Sequence, residues 1–259
     1  MTDGVGHRRR TRPLLLLIAA GLLTGAAAQA QGNGKPQLLC PGSAKMMAAD
    51  PLLRDAVKAA YPKIPESRRS VRQHGAAPCL FPYQAILYGD SVVLLTLGRI
   101  PGEACHGCAG ELSAVFLRKS KDDLTVEGRH DGFAESGTFG DPGIVTPTRL
   151  GPDNGIVIEG GGTFQGETSS SLQAFIFRDR RAVRLGPRDG IPLRLSNCEA
   201  KEKGEPCTDI NAAWRVDPGG RLLIDYGGKF ADGTKVATTV IYERRGDKLV
   251  LASGKPPAF

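Results

Sequence analysis

Cys105-His106-Gly107-Cys108 concentrates more reactive chemistry than any other stretch of the chain. Two thiols at this spacing can form a redox couple, half of a metal site, a haem attachment or a short disulfide. Haem attachment needs a histidine directly after the second cysteine. Here Ala109 follows Cys108, and His106 lies inside the pair. Copper(I) would suit two sulfurs and an imidazole, so Cys105, His106 and Cys108 are the candidate metal set. Neighbouring residues of an extended loop point in different directions, however, and no fourth ligand is in view. Redox pairs of the thioredoxin type open a helix, whose dipole lowers the thiol pKa. The residues that follow here, AGELSAVFLRK (109–119), read as a strand. The expectation is a short-range disulfide that stiffens a hairpin loop and calls for no cofactor.

The other four cysteines, Cys40, Cys79, Cys198 and Cys207, support that reading. An even number of cysteines in an exported chain reads as a disulfide framework. Proximity suggests Cys198 with Cys207 around a polar loop, and Cys40 with Cys79 around the best helix. Export is expected from the first thirty residues: RRRTR (8–12), the apolar LLLLIAAGLL (14–23), and small residues at Ala28 and Ala30. This is the pattern of a cleaved leader, 1–30. The apolar run over 14–28 falls short of the ~20 residues of a spanning helix. Leu39 stands where a lipoprotein box before Cys40 would need a small residue. The expected destination is periplasm or medium, with no membrane insertion after cleavage.

The leader holds four arginines and one aspartate, a net of +3, so residues 31–259 keep +4 of the whole-chain +7. That balance, with no basic run interleaved with aromatics, gives no reason to expect a nucleic-acid partner.

Other candidate chemistry is sparse. ESGTFGDPG (135–143) is glycine-rich, but lacks the lysine and the following helix of a phosphate loop. Ser136 has no G-x-S-x-G elbow around it. His74 and His130 are isolated in sequence. Glu135, Asp141 and Glu159 could supply a carboxylate pair of the glycosidase kind, though loop carboxylates are mostly solvated. Trp214, the lone tryptophan, alternates in strand fashion and reads as core.

The positioning elements are mostly strands. The chain has 34 glycines and 18 prolines, which suits short strands and tight turns. One helix is expected in residues 31–80, from Asp50: a capping aspartate, proline at the first helical position, and Leu53, Val57 and Tyr61 at spacings of four. From 81 to 259 a β domain is expected, with one pattern written three times near 90–129, 155–187 and 220–253. Leu95, Ile158 and Ile224 are equivalent upstream anchors, and Phe116, Phe177 and Tyr242 downstream ones. Each unit reads strand, loop, strand, charged turn, short strand. A small ribbon cannot bury its own apolar face, so the units must pack together. The expected fold is all-β, mainly an antiparallel sandwich or barrel, with one N-terminal helix. Cys105 and Cys108 fall in the longest connection of the first unit.

The runs CHGCAGELSAVF (105–116), SGTFGDPG (136–143) and TFQGETSSSLQAFIF (163–177) resemble exported bacterial proteins of unknown function that share a Cys-His-x-Cys loop and a following G-x-x-G stretch. The likeness covers roughly residues 90–178 and implies no activity. Loops of an all-β scaffold are where binding usually resides. The functional expectation is therefore an exported, disulfide-braced, non-enzymatic protein that binds an envelope protein or glycan. His106, Gly107, Glu111, Ser136 and Phe139 are its candidate ligand-loop residues. A thiol-redox or copper-handling protein using Cys105-His106-Gly107-Cys108 is the alternative, and an envelope hydrolase the third reading. For the binding reading, residues 102–111 should be exposed and backed by residues 136–143.

Overall fold

The computed structural model describes residues 38–65, 79–121 and 123–259. The expected leader, 1–30, and His74 lie outside the described residues. The expected helix is α2, Pro51–Ala60, and a second short helix that the sequence reading missed, α1, Ser43–Ala49, precedes it. Pro51 explains the break: a residue before proline is pushed out of helical conformation, and Asp50 is extended at φ −124°. Asp50 then caps α2 by accepting a hydrogen bond from the Leu53 amide at 3.0 Å.

Thirteen strands follow among the described residues, all paired antiparallel. The first four, β1 (Phe81–Tyr88), β2 (Ser91–Leu97), β3 (Gly110–Ser120) and β4 (Asp123–Ser136), form one sheet in chain order. The second sheet holds β5 (Ile144–Leu150), β6 (Asp153–Phe164), β7 (Glu167–Arg178), β8 (Arg181–Arg184), β9 (Ile191–Ser196), β10 (Asp209–Val216), β11 (Leu222–Lys229), β12 (Lys235–Arg245) and β13 (Lys248–Ser253). Its order is β13-β12-β11-β10-β9-β7-β6-β5. β7 shares one edge between two partners, β9 along Thr168–Leu172 and β8 along Phe175–Arg178. β5 and β13 end the sheet without pairing to each other, so of the two expected architectures the protein is a sandwich and the barrel does not close.

Burial explains the composition of the strands. β2 is apolar at nearly every position because it is covered on both faces. Val92 and Leu94 meet Leu53, Ala56, Val57 and Ala60 of α2. Val93, Leu95 and Leu97 face the large sheet, where they pack with Phe116, Phe133, Ile156, Ile158 and Phe175. The large sheet then curls upon itself around Leu150, Val157, Leu172, Ile210, Leu222, Ile224 and Val240. Trp214 packs on this second core, and its indole N–H donates to Glu159 Oε2 at 3.0 Å.

The three stretches that resemble one another in sequence each fold as a three-stranded meander: β2–β3–β4, β6–β7–β8 and β11–β12–β13. Leu95 stands opposite Ala114 and Ile224 opposite Val240, each two residues before its downstream anchor. Ile158 stands opposite Gln173, four before Phe177. The turn Asp179–Arg180, inside RDRR, closes β7–β8 with both residues at positive φ.

All six cysteines are joined, Cys40 to Cys79, Cys105 to Cys108 and Cys198 to Cys207. The first pair is buried beside α1, anchoring the helical segment to the start of β1.

Candidate functional site

The connection between β2 and β3 spans residues 98–109, far longer than the two-residue turn Gln165–Gly166 that joins β6 to β7. The disulfide brings the Cα atoms of Cys105 and Cys108 to 5.1 Å and closes a tight turn in which the Cys108 amide donates to the Cys105 carbonyl at 2.9 Å. His106 and Gly107 sit exposed at its tip.

This loop lies against the connection between β4 and β5. The amides of Gly102 and Ala104 donate to the Phe139 carbonyl at 2.9 and 3.1 Å. The Phe139 amide donates to the His106 carbonyl, and the Gly140 amide to the Cys108 carbonyl at 2.7 Å. Gly110 has no room for a side chain, since a Cβ there would stand 2.5 Å from the Pro142 nitrogen. Residues 102–111 are thus largely exposed and backed by 136–143, as the binding reading requires.

The His106 ring is held between two phenyl rings. Phe139 stacks on one side, with centroids 4.7 Å apart, and Phe164 on the other, at 4.5 Å. Both phenylalanines keep more than two fifths of their surface in water, 42% and 43%. Phe139 occupies an unusual backbone position. The turn Thr138–Asp141 has positive φ at both central residues, 54° at Phe139 and 76° at Gly140. Such turns favour asparagine or glycine, and a side chain in left-handed backbone costs about 1–2 kcal/mol. The protein keeps a large apolar ring there, half in water, where a small polar residue would fit better.

Beside the stack lies a groove of about 450 Å³, walled by Gly102, Gly137, Thr138, Phe139, Asp141 and Gly161. One Asp141 oxygen accepts from the Gly143 amide at 2.9 Å. Tyr83, reaching in from β1, donates its hydroxyl to the Gly143 carbonyl at 2.8 Å. Burial pushes the Tyr83 phenol above its usual range, and the Asp141 charge adds to the shift.

The structure therefore brings together His106, Gly107 and Phe139, and adds Phe164, which lies in GGGTFQGETSSS (160–171), a stretch that could read as a sugar- or peptide-facing loop but does not single out this residue. Its one signal was an apolar ring next to a Gln-Gly turn, where a hairpin tip ought to be polar. Glu111 and Ser136 stand on neighbouring β3 and β4, with Glu111 opposite Glu135 and Ser136 opposite Gly110. Ser136 is buried, and its Oγ lies where a side chain on Gly160 would have to be, which leaves it little space to attack a substrate. Two of the hydrolase candidates are engaged in structural hydrogen bonds. His130 Nδ1 accepts from the Ala182 amide at 3.1 Å, and Glu159 is committed to Trp214. With Cys105 and Cys108 joined, neither offers the thiolate that copper(I) would need. Among the described residues no group of three His, Cys, Asp or Glu is placed to hold a metal ion, and no helix is long and apolar enough to cross a membrane.

No protein-family model, no curated protein and no solved structure matches the chain.

Proposed function

We propose that this is an exported, non-enzymatic binding protein of the cell envelope, whose contact surface is the ring stack Phe139–His106–Phe164 with its adjoining groove. The observation that carries the reading is Phe139: a bulky ring in left-handed backbone at an exposed turn tip, locked against His106. Strain of this kind at a surface position points to use rather than to stability. Rigid, half-exposed aromatic side chains give contact area at low entropic cost, which is what a protein or glycan partner meets at a binding hot spot. The three disulfides suit an oxidising compartment outside the cytoplasm. In the same reading the three meanders are one unit used three times, and the first copy enlarged its loop at 98–109 to carry the platform.

The test is affinity capture from envelope extract with residues 31–259. Phe139→Asn keeps a residue suited to the turn and removes the ring, and Phe164→Thr does the same on the strand. A partner retained by the wild type and lost by both variants supports the proposal. Identical capture by all three proteins overturns it. Export is tested separately by expressing the full chain and asking by mass spectrometry whether the mature protein begins at Gln31.

A further inference from the structure

The Cys105–Cys108 bridge has features that a purely bracing disulfide does not need. Cys105 is exposed and Cys108 half-buried, whereas Cys40 and Cys79 are buried and Cys198 and Cys207 are both half-buried. A thiol in solution thus reaches the 105–108 pair most readily. The bridge also encloses only His106, which stacks on Phe164, and Gly107, where an added Cβ would face the same ring at 3.9 Å.

The attachments of the loop divide into two groups. Gly102 and Ala104 are tied to the Phe139 carbonyl by hydrogen bonds that lie outside the disulfide ring. The His106 carbonyl, the Cys108 carbonyl and the His106 side chain are held within or at the edge of that ring. Opening the bridge would leave the first group intact and loosen the second. Phe164 belongs to β6, and the ring stack is what couples it to His106.

We propose that Cys105–Cys108 is a thiol-exchange latch on the stack: reduction by a dithiol releases His106 from between Phe139 and Phe164 and uncovers the facing sides of both rings. The exchange is balanced. A thiolate of the dithiol attacks one cysteine sulfur, the protein S–S bond breaks, and a mixed disulfide forms. The second thiol of the reductant then attacks that mixed disulfide and closes its own S–S bond. Two electrons and two protons pass to Cys105 and Cys108, and the dithiol leaves as a disulfide. The pair opens onto β3 and not a helix, so no helix dipole lowers its thiol pKa. That suits a switch set by its surroundings better than a catalyst that turns over. The consequence for binding rests on the function proposed above. The latch itself does not.

The experiment uses residues 31–259 with labelled histidine, before and after mild dithiothreitol. Alkylation and peptide mapping report which sulfurs were freed, and NMR reports the His106 ring protons, which the two phenyl rings shield. The expected result is alkylation at Cys105 and Cys108 with the other four cysteines still joined, and a downfield move of the His106 resonances that reoxidation reverses. Cys105→Ser/Cys108→Ser should show the same resonances without reductant, with the amides of β6 and β7 away from Phe164 unchanged. Resistance of this pair under conditions that open Cys198–Cys207 overturns the proposal. So do His106 resonances that stay in place after the pair is reduced, whatever becomes of partner capture. Identical capture by the wild type, Phe139→Asn and Phe164→Thr overturns the binding reading alone.

Discussion

The hydroxyl of Tyr88 on β1 donates to the carbonyl of Gly155 on β6 at 2.5 Å, which ties the first sheet to the second across 67 positions of sequence. Tyr83, five residues earlier, makes the matching bond to Gly143. Between these ties runs the apolar layer of Ile86, Val93, Leu95 and Phe116 against Ile156, Ile158 and Phe175. The same strand that closes the sandwich thus anchors the backbone beside the groove.

Tyr88→Phe keeps the ring against Phe177 and deletes only the hydroxyl. The expected cost is about 1 kcal/mol, the net worth of one intramolecular hydrogen bond. Urea unfolding of the two proteins checks it, and the slope should not change. Tyr83→Phe should cost a similar amount and should also disturb the amide resonances of Asp141 and Gly143, which Tyr88→Phe should leave alone.

Burial raises the phenol pKa of Tyr83, Tyr88, Tyr226 and Tyr242. An unfolded tyrosine titrates near pH ~10. Between that value and the higher folded values, the folded state holds more protons than the unfolded state, so stability falls as pH rises. The contribution is complete below about pH 10 and is lost through the alkaline range above it. Phenolate absorbance should therefore lag behind that of a free tyrosine and then rise together with loss of circular dichroism. Four tyrosines titrating as free phenols in a folded protein would contradict the geometry.

The fold was legible where one physical signal dominated. Asp50 and Pro51 announce a helix start, and the charged run RDRR (178–181) between two apolar stretches announces a hairpin turn. α1 was not legible, because Ser43–Ala49 is short and lacks a polar side chain that caps its start. The apolar run of β2 gave a strand but not its two-sided burial, which depends on what α2 covers. The site was half legible. Cysteine spacing marks the loop, and glycine density marks its backing. Phe164 joins them only through a register that pairs it with Glu167 at a hairpin tip, and nothing in the sequence fixes which face of that tip meets His106.

The three disulfides should differ in what they contribute. The chain-entropy account gives about 4 kcal/mol for Cys40–Cys79, about 3 for Cys198–Cys207 and about 2 for Cys105–Cys108, following the length of chain each encloses. Paired Cys→Ala variants examined by thermal unfolding should lose stability in that order. A variant at 105 and 108 that unfolded as readily as the one at 40 and 79 would make the loop a structural keystone and contradict its role as a latch.

Trp214 is the only tryptophan and donates to Glu159, so its emission reports on the contact between β10 and β6. Glu159→Leu should cost about 1.5–3 kcal/mol, the range for a hydrogen bond to a charged group, and should shift the emission. Glu159→Gln keeps an acceptor and should cost less than half of that. Quenching by iodide follows the change. If Glu159→Leu left stability and emission untouched, the curl of the large sheet would not depend on this tie.

Gly160 tests whether the site is built or accidental. A Cβ at this position would stand 2.1 Å from Ser136 Oγ, 2.7 Å from the Gly137 nitrogen and 2.8 Å from the Pro142 carbonyl oxygen. Gly160→Ala must therefore push the β4–β5 connection away from β6. Overpacking of this kind costs about 1–3 kcal/mol, or more where backbone must move. Two of the three obstructing atoms are backbone, so adding Ser136→Gly should recover only part of the loss. The same displacement would carry Phe139, and the His106 loop stitched to it, away from Phe164 on β6. Gly160→Ala should accordingly unshield the His106 ring protons with the disulfide still closed, while Gly162→Ala, facing the Thr138 methyl and the edge of Phe164, should do so less. A Gly160→Ala protein of normal stability with His106 unmoved would show that the β4–β5 connection does not position the stack.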